Sequence, residues 1–96
     1  MLPVDHEGTP AGGRFIIKDQ NSVLAEIVYE YHSPGIIAAT HTRVDDSLKG
    51  QGIGRKLLDR LAAMAKEHNL KIVPVCSFVS AAMEKDENLG KLKADV

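Results

Sequence analysis

The spacing of apolar residues changes once along this chain, from a period of two to a period near 3.6, and the predicted elements follow from that change. Pro3, Gly8, Pro10 and Gly12 break up residues 1–12, where no period holds, so this stretch is expected to be a flexible N-terminal arm. Arg14-Phe15-Ile16-Ile17-Lys18 is a short β-rich run, and Asp19-Gln20-Asn21 has hairpin-turn chemistry. Val23, Ala25, Ile27, Tyr29 and Tyr31 then alternate with Leu24, Glu26, Val28 and Glu30, which predicts a half-buried strand with both tyrosines in the core. After the turn His32-Ser33-Pro34-Gly35, residues 35–44 form a further strand and complete an antiparallel three-strand meander. From Ile53 the period is helical. Ile53, Leu57, Leu58, Leu61, Met64, Ala65 and the stem of His68 share one face, opposite Arg55, Lys56, Asp59, Arg60, Lys66 and Glu67, and Asn69 fits a left-handed cap. Residues 70–75 read as a short strand covered by a helix, parallel to 35–44 through a right-handed crossover and placed at a sheet edge by Pro74. Ser77 is the expected N-cap of a second helix through Phe78, Val79, Ala81, Ala82 and Met83, ending near Asn88 or Gly90, beyond which the chain is expected to fray. The fold class is α/β with a mixed sheet: a meander, a β-α-β unit and a C-terminal helix.

Composition narrows the function classes. Ninety-six residues are expected to hold one domain, residues 13–96, with no second catalytic domain. With 44% apolar and 26% charged residues and a net charge of -1, the chain reads as a soluble globular protein, not one that coats nucleic acid. It shows neither a signal-peptide pattern nor a run near the roughly 20 apolar residues of a membrane span, so no membrane association and a cytoplasmic location are expected. The single Cys76 has no zinc-like spacing with any of the 4 histidines, so no metal is expected.

The chemistry gathers at Lys49-Gly50-Gln51-Gly52-Ile53-Gly54-Arg55-Lys56, where a glycine turn opens the amphipathic helix. Bare backbone N–H groups and a positive helix end make such a turn an anion site. Lys49, Arg55 and Lys56 crowd the helix start, where the macrodipole alone favours carboxylates; they either serve a bound polyphosphate or are solvated charges. The ATP-type phosphate loop is absent, and the dinucleotide fingerprint fits poorly because its strands are parallel. In a β-α-β unit the helix starts at the edge where strands end, so Gly50–Arg55 and Cys76 share that edge. Cys76 is a candidate nucleophile just ahead of a helix, or else a packed apolar residue beside Val75 and Phe78.

The order of elements resembles the core of the GNAT superfamily of N-acetyltransferases. That family's motif is Gln or Arg, two residues, Gly, one residue, then Gly or Ala; Lys49 to Gly54 has this spacing with Lys at the first position. The short single-domain branch of predicted acetyltransferases is more similar still, since it pairs a His-Thr at the end of the preceding strand with a Cys after the next one, as in His41-Thr42 and Val73-Pro74-Val75-Cys76-Ser77-Phe78-Val79. The resemblance spans residues 13–85.

It implies an acetyl-CoA-dependent enzyme acting on an amine. Gln51, Gly52, Ile53, Gly54 and Arg55, flanked by Lys49, Gly50 and Lys56, would hold the pyrophosphate, and Thr42, Arg43 and Val44 would line the pantetheine arm. Cys76 would carry the acetyl group covalently, or His41 would act as base in direct transfer, the route the wider superfamily implies. Glu26 and Glu30 are alternative bases through water. A short turn replaces the helices that full-length members place between their first two strands, leaving the acceptor site open. Either a second copy in a homodimer closes it, or a large molecule, a protein or peptide, presents the amine. Two other readings stand beside this one: a non-catalytic acyl-CoA-binding module, and an interaction domain with a structural glycine turn.

Overall fold

A computed structural model describes residues 3–95 of the chain. Strands β1 (Asp5–Thr9), β2 (Gly12–Asp19), β3 (Ser22–Ser33) and β4 (Ile36–Val44) are followed by helix α1 (Ile53–Glu67), strand β5 (Lys71–Pro74) and helices α2 (Ser77–Lys85) and α3 (Glu87–Gly90). They form one five-stranded sheet in chain order, antiparallel from β1 to β4 and parallel between β4 and β5. The β-α-β unit and the edge position expected for residues 70–75 are therefore present. Asn69 adopts the expected left-handed conformation, with φ of 56°.

The core lies on one face. Leu57, Leu58, Leu61 and Ala65 of α1 are fully buried with Ile17, Ala25, Ile27, Ile37 and Ala39 of the sheet, and Val79, Met83 and Leu89 extend the cluster. Burying each such aliphatic side chain stabilises the fold by about 1.5–3 kcal/mol. The other sheet face has no helix on it among the described residues. Ile16, between inward-facing Phe15 and Ile17, is buried there opposite Asp5 and Glu26.

Several expectations are corrected. Asp5–Thr9, placed in the flexible arm, form β1, paired along its length with β2; Met1 and Leu2 of that arm lie outside the described residues. Every residue of β1 is exposed, so no apolar alternation announced it. Its anchors are polar and aromatic instead: Glu7 pairs with Arg14 at 2.8 Å, and His6 stacks on Phe15 at 4.3 Å while its Nε2 meets the Tyr29 hydroxyl at 2.7 Å. The hairpin between β2 and β3 closes with Asp19 opposite Ser22, so its loop is Gln20-Asn21. Tyr31, expected in the core, is 48% exposed, because the β3–β4 register shifts on both sides of it and it meets Tyr29 only edge-on. Ser77 is the first residue of α2, not its cap; the cap is Cys76. The segment before the C-terminus is docked, not frayed, while Val96 lies outside the described residues. Leu92 and Ala94 are buried, and Ile72 of β5 donates to the Leu92 carbonyl and accepts from the Ala94 N–H, both at 2.7 Å.

Candidate functional site

Strand β4 runs into a 3-10 turn, Asp46–Leu48, that leads to the glycines. Asp45 builds it, accepting from the Ser47 N–H at 3.0 Å and the Ser47 hydroxyl at 2.6 Å, and Lys49 pairs with Asp46 at 2.8 Å. Gly50 and Gly52 have φ of 80° and 69°, the left-handed region that L side chains rarely enter. A Cβ at either position would meet nothing within 4 Å, so the turn needs glycine for its backbone and leaves open space in front. Gly52 is the N-cap of α1 and no side chain caps the helix, whose first turn holds no acidic residue. The leading N–H groups and the positive end of a 15-residue helix are therefore directed at a space fit for an anion.

From this helix end an open cleft of about 360 Å³ reaches β4, lined by Thr42, Val44, Leu48, Lys49, Gly50, Gly52, Ile53, Gly54, Arg55 and Phe78. Gly54 has a separate reason to be glycine, since a Cβ there would stand 3.1 Å from the Phe78 ring. Phe78 thus lies against the helix start. Arg55 donates from Nε to Asp59 at 2.8 Å and from Nη2 to Asp86 at 2.6 Å.

Thr42 joins the cleft to the thiol. It pairs across the ladder with buried Ile27, and its Oγ1 lies 3.4 Å from Cys76 Sγ, which donates to it. Cys76 is placed by its own backbone, whose N–H donates to the Ala39 carbonyl at 2.9 Å just past Pro74, where β5 leaves the sheet. Burial alone would push the thiol pKa up. The Thr42 hydroxyl and the backbone N–H groups of Val79, Phe78 and Thr42 outweigh it and hold the thiol below its ordinary value. The arrangement therefore makes the thiol at the N-terminus of α2 easier to ionise than an ordinary cysteine.

His41 and Arg43 lie on the other side of β4, because neighbours in a strand point to opposite faces. His41 Nε2 is 4.0 Å from Glu26 Oε2, and Arg43 Nε is 3.5 Å from the same oxygen. Arg14 reaches Glu26 Oε1 at 2.8 Å. Burial would raise the Glu26 carboxyl, but the Arg14 hydrogen bond and the charges of Arg14 and Arg43 hold it below the usual carboxylate range. A carboxylate so stabilised is a poor proton acceptor, which counts against Glu26 as the base.

Of the sequence candidates, the structure brings Thr42, Val44, Lys49, Gly50, Gly52, Ile53, Gly54 and Arg55 around one cleft, with Cys76 against Thr42. Gln51 and Lys56 do not line it, and the side chains of Arg43 and His41 face away from the thiol. Leu48 and Phe78 were missed. Phe78 carried a signal: it is an apolar residue on α2 that stays 39% exposed instead of joining the core stripe with Val79 and Met83. A larger cleft of about 450 Å³ lies among His6, Tyr29, Tyr31, Arg60, Met64 and His68 and includes none of these candidates. Among the described residues, no group of three or more His, Cys, Asp and Glu is disposed to hold a metal ion, and no helix is long and apolar enough to cross a membrane.

The mixed sheet, with its meander, its β-α-β unit and a glycine turn at an uncapped helix end, has the arrangement of elements that the resemblance to the N-acetyltransferases implies, and solved structures share it. The family model described as GCN5-related N-acetyl-transferase matches residues 14–92, and the chain belongs to that family of enzymes. The solution structure of a GCN5-like protein from Staphylococcus aureus is 36% identical, with a TM-score of 0.78 over 99% of this chain and 90% of that one. An IAA acetyltransferase from Bacillus cereus (19% identity, TM-score 0.64, 88% of this chain and 74% of that one) shares the fold. So does a ribosomal-protein-alanine N-acetyltransferase from Brucella melitensis (18%, TM-score 0.61, 92% and 65%). No curated protein matches the chain significantly.

Proposed function

We propose that the protein transfers an acetyl group from acetyl-CoA to an amine. The observation that carries this reading is the cleft from the uncapped start of α1 to Thr42, whose hydroxyl meets the Cys76 thiol. The pyrophosphate belongs at the backbone amides of Gly52, Ile53 and Gly54, where charge-assisted hydrogen bonds are about twice as strong as neutral ones. Arg55 and Lys49 add positive charge at its rim, and Val44, Thr42 and Phe78 flank the arm. When bound, acetyl-CoA supplies an acyl carbon activated by its thioester.

Cys76 is the group best prepared to receive that carbon. The Phe78 and Val79 amides stabilise its thiolate, the new bond forms between Sγ and the acyl carbon as the bond to the CoA sulfur breaks, and the proton given up by the thiol, passed along the Thr42 hydroxyl, leaves on CoA as its thiol. The amine then takes the acetyl group from Cys76, which regains a proton. A second reading, direct transfer with His41 as base, is favoured if the amine approaches over the open sheet face, where His41 is exposed. That uncovered face also suits a protein or peptide acceptor, or closure by a second copy. We place the protein in the cytoplasm, where its lone cysteine stays reduced.

Incubation with acetyl-CoA and no acceptor tests the covalent route. Intact-mass analysis is expected to show one acetyl group, absent from Cys76→Ser. Full turnover in Cys76→Ala on an accepted amine would transfer the role to His41. Absence of CoA binding by calorimetry would overturn the whole reading.

A further inference from the structure

We infer that Asp86 is a positioning residue of the cofactor cleft, holding Arg55 in place for the phosphates and tying cofactor affinity to the docking of the C-terminal segment. This rests on the reading that CoA binds at the glycine turn. Arg55 is the only arginine lining that cleft, and its guanidinium is held along one edge, by Asp59 at Nε and Asp86 at Nη2. That leaves Nη1 without a partner among the described residues, so the fork has one bound edge and one corner open for an anion.

The two carboxylates are not equivalent. Asp59 sits one turn along the same helix and moves with Arg55. Asp86 belongs to another element and is itself immobilised. Its backbone N–H donates to the Ala82 carbonyl at 3.0 Å, ending α2, and its Oδ1 accepts from the Asn88 and Leu89 N–H groups at 2.9 and 3.3 Å, starting α3. Its remaining oxygen, Oδ2, takes Arg55. One side chain therefore both caps α3 and anchors the arginine, and α3 leads directly to Leu92 and Ala94, which dock on β5.

A simple competitor would behave differently. If Asp86 only drew Arg55 away from the phosphates, removing its charge would tighten binding; if it positions Arg55, removal loosens it. Asp86→Asn separates the cap from the anchor, because Asn caps helices as well as Asp does. We expect CoA titration by calorimetry to show roughly two- to fivefold weaker binding in Asp86→Asn, with thermal unfolding close to the parent. In an Arg55→Gln background the same substitution should change the dissociation constant no further. Binding equal to or tighter than the parent in Asp86→Asn, while Arg55→Gln is weakened, overturns the inference and leaves the cofactor reading standing. So does an equal loss in both backgrounds. Parent affinity in Arg55→Gln also overturns the inference and leaves the cofactor reading standing, whereas no CoA binding by the parent removes both together.

Discussion

Replacing Gly52 tests the anion site and the backbone argument at once. With φ of 69° and nothing within 4 Å of a Cβ, Gly52→Ala meets no steric obstacle but forces an L side chain into the left-handed region, at about 1–2 kcal/mol. In a domain of this size that corresponds to a fall in melting temperature of about 4–16 °C. Gly52→Asn should fall less, because Asn enters that region more readily. Both side chains, however, project into the space assigned to the pyrophosphate. Losing one charge-assisted amide contact is worth about 1.5–3 kcal/mol, a roughly ten- to hundredfold weaker dissociation constant. The two variants should thus differ in differential scanning calorimetry and agree in CoA titration. Parent-like affinity in a folded Gly52→Asn would refute the placement of the phosphates. Equal melting temperatures for Gly52→Ala and Gly52→Asn would refute the strain argument.

Arg55→Gln should weaken CoA binding and flatten its salt dependence between low and high ionic strength, since it removes a screened attraction; unchanged salt dependence would mean a solvated charge. Because the thiol pKa is held below its ordinary value, Cys76 should react with iodoacetamide at lower pH than a free cysteine does, and Thr42→Val should move that profile upward. Leu61→Ala, at a fully buried site, should cost about 2–5 kcal/mol in chemical denaturation. The Glu26 carboxyl lies lower in the folded than in the unfolded chain, so its contribution is complete above the unfolded value and lost as pH falls through the folded one. Glu26→Gln should therefore flatten the acid limb of stability, and an unaltered limb would exclude that linkage.

β3 and α1 were legible because each buries a periodic face, and burial is what periodicity records, while β5 was legible as a short apolar run closed by Pro74. The glycine turn was legible because φ near 70–80° at Gly50 and Gly52 leaves few alternatives to glycine. β1 was not, because all of its residues are exposed and its anchors, Glu7–Arg14 and His6 on Phe15, are pairings across the sheet that no local window contains. The docked tail was missed for a related reason: Leu92 and Ala94 are held by backbone bonds to Ile72, on a strand two helices earlier in the chain. Within the site, Cys76 and Thr42 were read separately, and their contact depends on the turn after Pro74. His41, read beside them, was separated by strand alternation alone.

The docked tail has one more consequence. By bridging Ile72 to Lys93, it gives β5 a bonded neighbour on its outer side, so among the described residues the sheet has one fully open margin, β1. Any filament, swapped dimer or added strand that lengthens the sheet must begin there. That margin carries Asp5 and Glu7 and is bracketed by Pro3 and Pro10, charges and ring constraints that oppose strand addition. Removing the chain from Lys91 onward would bare a second margin at β5, where only Lys71 and Pro74 flank the apolar Ile72 and Val73, and the sheet could then be lengthened from either side.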